Sequence, residues 1–235
     1  MKKRYRALEI ILFCLLFFTI ILPSLLIFAP AEQFVIGEKI SFFQIEISLF
    51  CLVLYFMFKK QTKINCKQTD IKFNLLIHSG TSFLVLGILL VVQAFLQLCS
   101  FLFFKDSIND FPQINKSING IFIAIINFIT AVIIEEFLYR HYLPYVLNKI
   151  LSRNNKNKQN AEIIGVIISG LLFGLAHQGS GIFGVINAFL AHFFLFYNYK
   201  KTDSLIYNFI VHLVYNLIIF AGVFQMSSCL KILYN

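Results

Sequence analysis

The chain has 235 residues, of which 59% are hydrophobic and 13% charged, with a mean hydropathy of +0.80. These values lie outside the range of soluble domains and describe an integral membrane protein. The net charge of +9 does not point to nucleic acid, because the basic residues sit in short breaks between apolar runs rather than on one soluble face.

A transmembrane helix needs about 20 mostly apolar residues, and seven runs of that order follow one another. The first, Leu8 to Ala29, follows the basic cluster Lys2 to Arg6 and precedes Ala29-Pro30-Ala31, which resembles a cleavage site. Its length of about 22 residues exceeds the usual signal core of roughly 7 to 15 and favours an uncleaved anchor. The second is Ile40 to Phe58. The third, Phe73 to Phe104, is long enough to tilt or break, and its Gln93 and Gln97, one turn apart, read as glue between helices. The fourth, Ile118 to Tyr139, contains Glu135 and Glu136. The fifth, Glu162 to Ala176, is short enough for part of it to be re-entrant. Ile182 to Tyr199 and Leu205 to Phe224 complete the set.

The expected fold class is therefore all-α, a polytopic transmembrane helical bundle of about seven helices (six to eight). Residues 1–110 form three N-terminal spans, 111–224 a transmembrane core and 225–235 a short tail. With the N-terminus in the cytoplasm, 16 of the 20 basic residues fall in cytoplasmic segments, Arg140 among them, and only Lys39, Lys105, Lys116 and Lys231 outside. That asymmetry predicts an N-in, C-out orientation. The Ile-, Asn-, Lys- and Phe-rich composition suggests an AT-rich bacterial genome and hence the cytoplasmic membrane. Cys14, Cys51, Cys66, Cys99 and Cys229 are scattered, which indicates neither a disulfide framework nor a thiolate metal site. No internal repeat of the kind that marks secondary transporters is seen.

Charges inside a span cost on the order of 2.5–3.5 kcal/mol each on insertion scales, so Glu135 and Glu136 need an explanation. Glu136 and Arg140 form an i, i+4 pair with the acid N-terminal, the favourable order. Glu135 points about 100° away, unpaired and beside a like charge, surroundings that suit a general base. Phe173 and His177 lie one turn apart, as do His212 and Asn216, the latter pair within an apolar run. Six of the eleven glycines crowd around His177, and Gly170 and Gly174 make a G-x-x-x-G face for close helix approach. Depth permits a meeting. Glu136 lies 17 residues from Arg153, His177 lies 16 from Ala161 and His212 lies 11 from Lys201. At ~1.5 Å per residue these are about 25, 24 and 17 Å, before tilting and a break expected at Pro144. Carboxylates, imidazoles and an amide converging in a low-dielectric site suit activation of water and stabilisation of an oxyanion.

E-E-x-x-x-R (Glu135 to Arg140), F-x-x-x-H (Phe173 to His177) and H-x-x-x-N (His212 to Asn216), in this order, resemble the CPBP family of intramembrane proteases. That family is also called the CAAX protease or Abi family and includes CAAX prenyl protease 2-like enzymes. The resemblance runs from about Ile121 to Leu217 and implies hydrolysis of a peptide bond in a membrane-associated or lipidated peptide. On that implication Glu135 with His177 activates water, His212 and Asn216 steady the oxyanion, and Glu136, Arg140 and Phe173 support them. No cofactor is then required. The family has also been described as metalloproteases, and a divalent metal such as zinc would take Glu135, His177 and His212, although no H-E-x-x-H is present. His192 departs from the family's usual small residue and is read as a buried or lumen-facing histidine outside the site. The expected partners are the lipid bilayer and a membrane peptide or protein substrate. Two competing functions are a non-catalytic bacteriocin-immunity or scaffold protein of the same family and, less in keeping with the missing repeat, a small transporter.

Overall fold

The computed structural model describes residues 16, 19, 21–22, 35–36, 38–62, 71–103, 113–114, 117–152 and 158–233. They are helical except for connecting turns and one parallel pairing of two-residue strands, β1 (Val35–Ile36) with β2 (Gln113–Ile114). The helices are α1 (Phe42–Thr62), α2 (Ile71–Phe103), α3 (Ile118–Glu135), α4 (Leu143–Leu151), α5 (Lys158–Ala176), α6 (Gly181–Thr202) and α7 (Leu205–Leu233). A π-helical turn, Glu136–Tyr142, joins α3 to α4 without interruption, and a 3₁₀ turn, Gln178–Ser180, joins α5 to α6.

Among the described residues five stretches are long and apolar enough to cross a bilayer: His78–Ser100, Ile118–Leu151, Gln159–Ala176, Gln178–Thr202 and Leu205–Gly222. Phe42–Tyr55 is a shorter apolar helix. These correspond to the second through seventh apolar runs, and the all-α class holds. The first run, Leu8 to Ala29, lies almost wholly outside the described residues. Two open alternatives narrow. The third run does not break, because α2 is one continuous helix of 33 residues. The fifth needs no re-entrant geometry, because α5 starts at Lys158 and its 19 residues make a full span.

The fourth run also does not end at Tyr139. Arg140 reads as a loop cation in the sequence, yet it is completely buried, so it leaves the cytoplasmic set. Pro144 does not break the helix either. It sits in the first turn of α4, where its missing N–H would leave the Arg140 carbonyl without its helical donor. The preceding turn widens instead, with the Leu143 N–H reaching the Leu138 carbonyl five residues back. The Tyr139 carbonyl is taken by the Ser169 hydroxyl at 2.7 Å, which ties α5 to the wide turn.

Burial has the polarity of a membrane protein. On α2, Phe83 is 74% and Val91 69% exposed, while Val85 and Leu89 are buried against Ala191, Leu195, Val211 and Tyr215. Apolar side chains thus cover the outside as well as the core, as a lipid solvent requires. A second core surrounds the π turn, where Phe137, Leu138, Tyr139, Tyr142 and Leu143 pack with Cys51, Tyr55 and Phe173. Gly170 and Gly174 face α6 as the G-x-x-x-G reading expects: a Cβ on Gly174 would lie 3.1 Å from the Val185 carbonyl oxygen. Gly181, at φ +73°, turns the chain from α5 into α6 in a conformation that favours glycine. Of the two glutamines on α2, Gln93 does join helices, accepting from the Tyr215 hydroxyl at 3.0 Å, which in turn accepts from Asn187 at 2.8 Å. Gln97 instead faces outward and is exposed.

Candidate active site

The acidic pair straddles the join between α3 and the π turn, and the two carboxylates meet different surroundings. Glu136 is 2% exposed and has three polar partners. Its Oε1 takes His212 Nδ1 at 2.7 Å and lies 3.4 Å from Arg140 Nε, while its Oε2 accepts from Asn208 Nδ2 at 2.9 Å. A carboxylate this deep persists because its partners replace lost hydration. Removing one partner of such a buried pair costs about 3–5 kcal/mol. Glu135 is partly open, with 23% of its side chain exposed, and its Oε2 lies 3.5 Å from His212 Nε2.

His212 therefore stands between the two carboxylates, one at each ring nitrogen. With the Arg140 guanidinium 3.4 Å from the same oxygen, Glu136 is read as a carboxylate, which only accepts, and the proton in the 2.7 Å contact is assigned to His212 Nδ1. That fixes the ring and leaves Nε2 toward Glu135, the orienting relationship a buried carboxylate has to a catalytic histidine. The Glu136–Arg140 pair expected from i, i+4 spacing is present, but Glu136 also holds His212.

Phe173 is the hub around which the remaining groups gather. Its ring centroid lies 4.5 Å from that of His177, 6.3 Å from His212 and 6.2 Å from His192, and the Arg140 guanidinium carbon sits 4.0 Å above its face. The cation on the ring face offsets part of the cost of burying Arg140, whose Nη1 and Nη2 make no hydrogen bond among the described residues. His177 is held by its own helix end: Nδ1 donates to the Phe173 carbonyl at 2.8 Å, so Nε2 is its free nitrogen. Among the described residues no direct contact joins His177 to Glu135. The imidazole that meets Glu135 is that of His212. Asn216, one turn beyond His212 on α7, is half-buried and makes no hydrogen bond among the described residues. His192 is fully buried, the first of the two positions that the sequence reading allows it, with its ring centroid 6.2 Å from that of Phe173.

Asn208 is the site residue that sequence reasoning missed. It lies one turn before His212, so Asn208, His212 and Asn216 repeat at i, i+4 and i+8 on one face of α7. That repeat in an otherwise apolar run was the available signal. Behind it, Asn198 donates to Asn208 Oδ1 at 2.8 Å, and the Ser82 hydroxyl donates to Asn198 Oδ1 at 3.2 Å.

The donor types suit zinc, with free Nε2 atoms on His177 and His212 and a carboxylate on Glu135. Their placement does not: among the described residues no three His, Cys, Asp or Glu side chains are grouped to hold one ion.

Residues 117–218 match the family model described as type II CAAX prenyl endopeptidase, Rce1-like, over nearly the same stretch as the three motifs. No curated protein and no solved structure matches the chain.

Proposed function

From the match of residues 117–218 to the Rce1-like type II CAAX prenyl endopeptidase model, and the motif resemblance to intramembrane proteases over the same stretch, we propose that this chain hydrolyses a peptide bond in a membrane-associated or lipidated peptide by activating water. The observation that carries the reading is the line Glu136–His212–Glu135, with contacts of 2.7 and 3.5 Å at the two nitrogens of one imidazole. Glu135 is the only carboxylate of the three-group line with appreciable exposure, so it is the one a water and a substrate can reach.

A water seated against Glu135 and His212 Nε2 gives its proton to Glu135 as its oxygen attacks the scissile carbonyl carbon. The C–O bond forms and the carbonyl oxygen becomes an oxyanion. The Asn216 amide, one turn along the same helix face, donates to that oxyanion. Collapse breaks the C–N bond, and the proton on Glu135 passes to the leaving amine. Glu136 fixes the tautomer and orientation of His212, and Arg140 on Phe173 holds Glu136 in the bundle. His177, with Nε2 free, is a second imidazole beside Phe173 that the substrate or the water can use.

Orientation in the membrane follows the basic-residue asymmetry, N-terminus in, within a bacterial cytoplasmic membrane. The test compares membrane peptides from cells carrying wild type and Glu135→Ala, followed by cleavage of a synthetic prenylated peptide by the purified protein in vesicles. The expected result is a set of peptides cleaved only by wild type, at a rate that 1,10-phenanthroline leaves unchanged. Equal cleavage by Glu135→Ala would overturn the reading, and a loss restored by zinc would replace water activation by Glu135 with metal chemistry.

A further inference from the structure

The buried amides behind the candidate site form a chain whose direction is set by one backbone atom. Asn208 Nδ2 lies 2.7 Å from the Leu195 carbonyl oxygen and 2.9 Å from Glu136 Oε2. A carbonyl and a carboxylate both accept, so the nitrogen end of the Asn208 amide must face them, and both of its N–H groups are used. Asn208 Oδ1 then faces Asn198 and requires a donor, which Asn198 Nδ2 supplies at 2.8 Å. That turns Asn198 Oδ1 toward Ser82, whose hydroxyl must donate across 3.2 Å. Asn198 and Asn208 are completely buried, and Ser82 nearly so. None of the amide flips that leave such assignments open elsewhere is available here, because each reversal would set two acceptors or two donors against each other. Thr202 steadies the middle of the chain by donating to the Asn198 carbonyl at 2.8 Å.

We propose that Ser82, Asn198 and Asn208 form a positioning relay across α2, α6 and α7 that delivers an N–H to Glu136 Oε2. By doing so it reserves Oε1 for the His212 Nδ1 proton and holds His212 Nε2 toward Glu135. Asn208 is the positioning residue next to the site, and the other two act through it. A carboxylate at position 208 would have the same shape and the opposite polarity, meeting the Leu195 carbonyl and Glu136 with acceptors only. A Thr at position 82 keeps the hydroxyl donor, whereas an Ala removes it.

The role of the relay in catalysis rests on the proposed protease reading, but its effect on His212 does not. The experiment uses the full chain, ¹⁵N-labelled at histidine, in lipid nanodiscs, with the His212 Nδ1–H resonance assigned by its loss in His212→Gln. Asn208→Asp and Asn208→Leu are expected to abolish or strongly shift that resonance, Ser82→Ala to shift it in the same sense by less, and Ser82→Thr to leave it in place. In the cleavage assay with a prenylated peptide, Asn208→Leu is expected to lower kcat by about 100-fold with KM little changed, as misplacement of a reacting group does. Should the Asn208 variants fail to fold, Ser82→Ala and Asn198→Ala carry the same prediction from the far end of the chain. An unaltered His212 resonance in any folded variant that lacks a relay donor overturns the proposal. If wild type cleaves no peptide, the protease reading falls and the resonance still decides the relay.

Discussion

The closeness of α5 to α6 beside the site can be measured with Gly170→Ala and His192→Ala taken singly and together. A Cβ on Gly170 would lie 2.9 Å from His192 Cδ2, 3.4 Å from its Cγ and 3.5 Å from Phe193 Cζ. The ring cannot simply swing away, because it is fully buried and has Phe173 at 6.2 Å and Phe196 stacked at 6.2 Å. Forcing a methyl into such a site costs about 1–3 kcal/mol. Against this stands the helix preference for Ala over Gly, about 0.5–1 kcal/mol. Gly170→Ala alone should therefore range from neutral to destabilising by about 2.5 kcal/mol net. In a His192→Ala background the obstacle is gone, and the same substitution should stabilise by about 0.5–1 kcal/mol. The coupling between the two positions is then about 1–3 kcal/mol, readable as the non-additivity of unfolding free energies in mixed detergent micelles. Additive single effects would refute the close helix approach.

The two carboxylates should separate in their effects on stability. Glu136→Gln should lose peptide cleavage and destabilise by about 3–5 kcal/mol, because Arg140 is left buried without its counter-charge and His212 without its acceptor. Glu135→Gln should lose cleavage with an unchanged unfolding midpoint, since its carboxylate is partly exposed and makes one long contact; a large fall in stability would show that it is structural. Gly87→Ala on α2 should be neutral or stabilising by about 0.5–1 kcal/mol, because a Cβ there meets nothing within 4 Å, and a destabilised variant in the same micelle assay would mean that the outer face of α2 is covered.

What could be read in the sequence was what is local to a segment. The apolar runs from Ile40 onward become helices because hydropathy is a property of each run, and insertion into lipid depends on little else. The three motifs likewise name most of the groups around Phe173. What helical spacing could not supply was the pairing across segments. It correctly matched Glu136 with Arg140, but which carboxylate takes His212 depends on how α7 packs on the π turn, a contact between residues 76 positions apart. Asn208 escaped notice for a related reason. One amide in an apolar helix has many uses, and only its distances to the Leu195 carbonyl and to Glu136 distinguish a positioning role from helix glue.

Arg140 and Pro144 show why the end of the fourth run misled. A cation followed shortly by proline reads as the exit from a membrane span, since charge favours the interface and proline ends a helix. Both signals fail here through the same widened turn. The π geometry absorbs the donor that proline lacks, so the helix continues to Leu151, and it occurs in the same turn that buries Arg140 between Glu136 and the Phe173 ring. Wide turns of this kind are found frequently at functional sites because they re-aim side chains that a regular helix would hold on fixed faces. In this chain the residue that opens the turn is Glu136, so the irregularity in the backbone and the carboxylate that orients His212 begin at the same position. Charge counting alone would have placed that position at the edge of the bilayer, whereas the structure puts it at the centre of the candidate site.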